Sequence, residues 1–177
     1  MEVPFKSHNN HDDRPRKRGK VKEPFIQITD QALNPQEITQ KVRAPNKGSV
    51  ITFLGTARNE TDGRPVLFLE YEAYDTMVMK TITAISFEIQ KAWGPLEMAF
   101  SHRTGRVNVG EISMVVAIAT PHRKEGFAAS WAAVDRIKLI SPIWKKEVYE
   151  DGASWVGCNN EQPNFIADAP LMEKSPY

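Results

Sequence analysis

The chain has 177 residues, 41% of them hydrophobic, with 23 basic against 22 acidic side chains and a formal net charge of +1. That length fits one domain with a tail better than two domains, and the near-neutral total argues against a general nucleic-acid binder. The single cysteine, Cys158, excludes a disulfide framework and any Cys-x-x-Cys zinc site and fits a reducing compartment, and no apolar run reaches the roughly 18 residues of a membrane span.

Charge is unevenly placed. Residues 1–23 hold seven basic and four acidic side chains, a balance of +3, which leaves −2 for the rest of the chain. This segment is polar, lacks the apolar core of a secretory signal and reads as a disordered basic tail. Its Arg14-Pro15-Arg16-Lys17-Arg18 stretch is either a solvated run or a contact for an acidic partner.

Order is expected from Pro24. Phe25, Ile26 and Ile28 predict a short strand. Asn34-Pro35-Gln36-Glu37 is a helix start, with Asn as N-cap, Pro at the first helical position and Glu reaching back. That helix is expected to run to about Arg43, followed by a loop over 44–48. Residues 49–56 read as a strand, in which Gly55 marks a bulge or a close approach to the backbone. A polar loop over 59–65 leads to a strand over 66–74, with Leu67, Leu69, Tyr71 and Ala73 on one face and Glu70 and Glu72 on the other.

A helix over 76–93 carries the apolar stripe Val78, Ile82, Ile85, Ile89 and Trp93, stopped by Gly94-Pro95. Strands follow over 98–102 and 111–120, joined by a turn-rich segment over 104–110. The second is almost wholly apolar, as a central strand should be. A long helix over 125–140 ends at Pro142. A hairpin over 145–149 and 154–156 closes the domain around Glu150-Asp151-Gly152. The pattern is mixed α/β (α+β), with helices and mostly antiparallel strands interleaved. The domain is expected over 24–157, with 158–177 a C-terminal tail.

The last long helix holds a residue out of place. Phe127, Trp131 and Val134 share one face, and Lys138 falls about 20° from Phe127 by helical geometry. A lysine thus stands in line with the apolar stripe. Two readings fit: a last-turn lysine that complements the helix dipole and reaches water, or an ammonium in a partly apolar pocket, ready to act as base or nucleophile. His122-Arg123 opens the same helix, as an exposed pair or as an anion site on free backbone N–H groups. In the strand after Pro142, Lys145 and Glu147 face one way and Trp144 and Lys146 the other. Arg58 ends the strand that contains Gly55. Together these cations could line a pocket for an anionic substrate.

The ordered set Phe53-x-Gly55-x-x-Arg58, Leu69-Glu70-Tyr71-Glu72-Ala73-Tyr74, His122-Arg123 and Asp135-x-x-Lys138-x-x-x-Pro142-x-Trp144-Lys145-Lys146-Glu147 resembles the large-subunit family of molybdopterin synthases. The likeness runs from about Gly48 to about Trp155. It implies an α/β hammerhead fold and a cytoplasmic sulfurtransferase. It further implies a homodimer of large subunits, each with a small ubiquitin-like sulfur carrier, a heterotetramer overall. The carrier's C-terminal Gly-Gly thiocarboxylate would supply sulfur to cyclic pyranopterin monophosphate, giving the dithiolene of molybdopterin.

By position, the resemblance assigns substrate binding to Thr56, Ala57, Arg58, His122, Arg123, Lys138, Lys145, Lys146 and Glu147, with Lys138 and Lys145 catalytic. It implies no cofactor and no metal for this step, since molybdenum is bound downstream. Sulfur arrives on the partner, and Cys158 lies outside the matched motifs. Pro121 and Gly126 depart from the family pattern around the expected anion site. Two other readings compete: a catalytically silent homologue that only docks a ubiquitin-like partner, and an RNA-binding domain that uses the basic tail. Against the RNA reading, the 66–74 strand sets acidic residues opposite its apolar face.

Overall fold

The computed structural model describes residues 21–156. The basic stretch at 14–18, Cys158 and the rest of the C-terminal tail lie outside the described residues. No helix among those described is long and apolar enough to cross a membrane.

The chain runs β1 (Phe25–Thr29), α1 (Pro35–Gln40), β2 (Ser49–Thr56), β3 (Glu60–Thr61), β4 (Arg64–Pro65), β5 (Phe68–Ala73), α2 (Asp75–Trp93), β6 (Glu97–Arg103), β7 (Gly105–Asn108), β8 (Ile112–Thr120), α3 (Arg123–Ile140), β9 (Ile143–Tyr149) and β10 (Gly152–Val156). One sheet has the order β1-β6-β8-β2 and the other β10-β9-β5-β7, with β3 and β4 a separate small ribbon. β1 pairs parallel with β6, and every other pairing is antiparallel. The expected mixture of helices and mostly antiparallel strands is therefore what the chain adopts.

The first sheet is covered on both faces. On one, Val78, Ile82, Ile85 and Ile89 of α2 are fully buried against Met98, Phe100, Val116 and Ile118, with Ala129, Ala133 and Ile137 of α3 beside them. Each large aliphatic side chain so buried contributes about 1.5–3 kcal/mol. On the other, Ile38 and Val42 from the α1 region cover Ala99, Val115, Ala117 and Ala119. Cover on both faces explains why β8 is apolar nearly throughout. At the edge of this domain, Gln90 of α2 bonds both the N–H and the carbonyl of Lys22, at 3.0 and 2.7 Å.

Four local expectations need correction. First, α1 ends at Gln40 rather than near Arg43, because the N–H groups of Lys41, Val42 and Arg43 turn to carbonyls three residues back, tightening the chain before Pro45. Second, the turn-rich 104–110 segment contains β7. Its Val107 is fully buried and pairs with Leu69 of β5, so tertiary pairing overrides the local turn signals. Third, Leu67 precedes β5 and is 46% exposed rather than inward.

The fourth concerns α3. Phe127 and Trp131 are 63% and 53% exposed, so the stripe that carries Lys138 is not the core face. Of the expected stripe Val134 alone is buried, beside a core face made by Gly126, Ala129, Ser130, Ala133 and Ile137. Spacing tells which residues share a face, not which face turns inward. Small residues win here because the helix lies close on the sheet. A Cβ at Gly126 would sit 2.8 Å from Thr120 Oγ1 and 3.0 Å from Ser49 Oγ. Gly126 is therefore demanded by packing, although glycine weakens a first helical turn.

Candidate functional site

A cavity of about 960 Å³ lies where the two sheets and the C-terminal end of α3 meet. Three structural walls build it. The first comes from the ends of β2, β6 and β8, and supplies Gly55, Thr56, His102 and Met114. Register places His102 beside Met114 and Met114 beside Gly55, so the three form one row across the sheet. The ladder shifts between Gly55 and Thr56, the bulge expected at that glycine. A Cβ at Gly55 would approach Met114 Cβ to 3.3 Å. Past the bulge Thr56 pairs with Ile112 and the Ala57 N–H bonds the Glu111 carbonyl at 3.0 Å, which buries Ala57 and leaves Arg58 exposed beside the cavity.

The second wall is one face of the other sheet. Leu69 pairs with Glu147 and Tyr71 with Lys145, and the two-residue strand period sends all four side chains into the cavity. Lys145 Nζ lies 2.8 Å from Glu147 Oε1. Glu147 is only 2% exposed. It also accepts from Tyr149 Oη at 2.6 Å and Thr61 Oγ1 at 3.2 Å. Burial pushes its carboxyl pKa up, but the bonds from Lys145, Tyr149 and Thr61 outweigh this and hold it below the ordinary value. Tyr149, donating to that carboxylate, has its pKa raised. Glu147 thus enters the cavity as the anchor of Lys145.

The third wall is the last turn of α3. Lys138 is exposed there, lines the cavity and holds its ammonium 5.5 Å from the centre of the Phe53 ring. It sits in the last turn and reaches water, as the first reading has it, with its ammonium over an aromatic ring of the wall. Among the described residues, neither Arg58 nor Lys138 has an ion-pair partner. With Lys145 matched by Glu147, the lining carries two uncompensated positive charges.

Thr56, Arg58, Lys138, Lys145 and Glu147 are thus brought together. Four other expected site residues are not. Ala57 is buried behind the wall with Val66, Leu69, Val107 and Tyr149. Lys146 points to the opposite face of β9, where it pairs with Glu70 at 2.9 Å and lies over Trp155. His122 and Arg123 are exposed at the other end of α3, about 22 Å of helix from Lys138. They do not reach the cavity of their own chain.

His102 and Tyr71 carry no expected role, yet both line the cavity, their rings edge to face at 4.8 Å. Burial pushes the His102 pKa down to about 4, only partly offset by its bond to the Arg103 carbonyl. The sequence shows only a titratable residue between Ser101 and Arg103 in a strand pattern; the near-complete burial that makes His102 notable appears in the fold alone.

Comparison with known proteins agrees with this architecture. The family described as MoaE protein matches residues 28–140, from β1 to the end of α3. The molybdopterin synthase catalytic subunit of Halalkalibacterium halodurans is 42% identical over 147 residues, covering 83% of this chain and 94% of that protein. The subunit of the same name from Bacillus subtilis is 41% identical over 149 residues, covering 84% and 95%. The crystal structure of molybdopterin synthase from Staphylococcus aureus superposes with a TM-score of 0.72 at 35% identity, covering 74% of this chain and 96% of that one. With a match through most of the folded body and relatives aligned along nearly their full length, the chain belongs to the MoaE protein family.

Proposed function

We propose that this chain is the catalytic subunit of a molybdopterin synthase. In this reading it takes sulfur from the C-terminal thiocarboxylate of a small ubiquitin-like carrier and places it on cyclic pyranopterin monophosphate. The observation that carries the reading is the pair of uncompensated cations, Arg58 and Lys138, beside an anchored Lys145 on one cavity. Both reactants are anions, and a site for them needs more positive than negative charge. A volume of about 960 Å³ leaves room for a pterin and a slender Gly-Gly tail together.

The roles divide by geometry. Arg58 offers a planar fork to phosphate. Lys145, fixed by Glu147, is a preorganised charge that costs no rearrangement as negative charge develops during acyl transfer. Lys138 has no ion-pair partner among the described residues and is the group able to steady the thiocarboxylate, move a proton or attack its carbon. Thr56 contributes at the strand end. We assign His122 and Arg123 to phosphate binding across a homodimer, where the α3 start of one protomer can serve its partner's cavity. Lys146 and Ala57 then support the wall from behind. With two carriers the assembly is a heterotetramer, and we place it in the cytoplasm with its family.

The test is a product assay. The purified chain is mixed with thiocarboxylated carrier and cyclic pyranopterin monophosphate, with Lys138→Ala in parallel. Dithiolene pterin from the parent and none from the variant supports the reading. Equal product from both moves catalysis away from Lys138. No product from either, with carrier still bound, favours the silent docking module.

A further inference from the structure

His102 sits on the cavity wall in a state set by its surroundings. It is 5% exposed. Its ring is fixed by Tyr71, edge on at 4.8 Å, and by Phe100 at 6.2 Å. Nδ1 lies 2.8 Å from the Arg103 carbonyl oxygen. A carbonyl only accepts, so Nδ1 carries the proton. The other nitrogen, Nε2, then holds a lone pair. Among the described residues it has no hydrogen-bond partner, although the ring lines the cavity. Burial keeps the imidazole neutral at neutral pH.

The other polar groups of the cavity differ in kind. Arg58, Lys138 and Lys145 are donors. The oxygens of Glu147 are occupied by Lys145, Tyr149 and Thr61. The Tyr71 and Ser113 hydroxyls lie 3.5 Å apart, and Ser113 donates to the Gly55 carbonyl at 3.2 Å. Hydroxyls on the lining can accept as well as donate, but Nε2, with Nδ1 carrying the proton, can only accept, and it stands unmet beside the cationic donors. Phosphate and thiocarboxylate are acceptors at neutral pH and cannot satisfy it. A reduced pterin can, through its ring and amino N–H groups.

We propose that His102 is a substrate-recognition residue whose Nε2 accepts a hydrogen bond from an N–H of the pterin, setting the heterocycle against the sheet. The phosphate is then left to the exposed Arg58 and to the His122-Arg123 pair assigned across the homodimer, so the substrate binds with its heterocycle inward. This rests on the pterin substrate proposed above.

Two measurements test it on the full chain. The first is steady-state kinetics with thiocarboxylated carrier and varied cyclic pyranopterin monophosphate. His102→Phe is expected to raise KM for the pterin about tenfold, the size of one lost hydrogen bond between buried groups, with kcat within about twofold. His102→Gln, whose amide oxygen reaches the position of Nε2, is expected to restore most of the KM. An unchanged KM in His102→Phe, or a fall in kcat alone, overturns the proposal. The second is nitrogen NMR of the histidine-labelled parent titrated with the same pterin, which needs no variant to fold. Movement of the Nε2 resonance supports the proposal and a fixed resonance overturns it. If the parent makes no product but Nε2 moves, the functional reading fails and the recognition site stands.

Discussion

Replacing Glu147 by glutamine keeps the shape of the side chain and removes its charge. In the parent, Lys145, Tyr149 and Thr61 all donate to this carboxylate, which is 2% exposed. An amide offers one oxygen where three donors converge, and its NH2 must face one of them. The bond from Lys145 is charge-assisted, and such bonds contribute about 1.5–3 kcal/mol. Adding a donor left unmet in a buried place, the expected cost to stability is about 3 kcal/mol, or a fall in Tm of roughly 6–12 °C for a domain of this size.

The pH dependence has a definite sign. Glu147 has a folded pKa below its ordinary value of 4.5, so its contribution is full above 4.5 and is lost as pH falls through the folded value. Thermal melts at steps from pH 7 to pH 3 should show the gap between parent and Glu147→Gln narrowing below pH 4.5. Product formation should fall as well, because Lys145 loses its anchor. A variant that melts within about 2 °C of the parent at pH 7, with an unaltered acid limb, would refute the claim that Glu147 holds this wall.

Three further outcomes follow from packing and burial. Gly126→Ala adds a methyl 2.8 Å from Thr120 Oγ1; despite better helix propensity it should destabilise by about 1–3 kcal/mol, read from the urea midpoint. On α3, Trp131→Ala should change stability by less than about 1 kcal/mol in the dissociated chain. Ala133→Leu, on the fully buried face, should cost about 1–3 kcal/mol by overpacking, and the reverse ranking would put the helix the other way round. His102 is neutral when folded down to about pH 4 but titrates near 6.5 when unfolded. Parent stability should therefore decline between those values by on the order of 3 kcal/mol, and unfolding curves of His102→Gln should lack that component.

What the sequence made legible follows a physical division. Period and punctuation are local, so the bounds of β2, the Gly55 bulge, the α2 stripe and the Asn34 cap could all be read from neighbouring residues. The split of β9 into Lys145 with Glu147 on one face and Lys146 on the other also needed only the strand period. Orientation and partnership are not local. Nothing within 123–140 says that alanines rather than Phe127 and Trp131 meet the sheet. Nothing within 104–110 announces β5 as a partner. His102 was invisible for the same reason: its role depends on a carbonyl next door and on rings from β5 and its own strand that only the fold sets around it. The resemblance grouped His122, Arg123 and Lys146 with Lys138, but the long α3 and the strand period separate them within one chain.

The alternation along β9 has a consequence for how this family can vary. One face of the strand serves the cavity through Lys145 and Glu147, and the other a surface pair through Lys146 and Glu70. A substitution at Lys145, Lys146 or Glu70 disturbs one ion pair, and one at Glu147 disturbs its bonds to Lys145, Tyr149 and Thr61. A single-residue insertion or deletion before Lys145 would instead exchange the two faces, turning the anchored ammonium to solvent and a surface lysine inward. For this segment, length is a constraint beside the identity of Lys145 and Glu147. Homologues should therefore keep the number of residues between the end of α3 and Glu147 fixed.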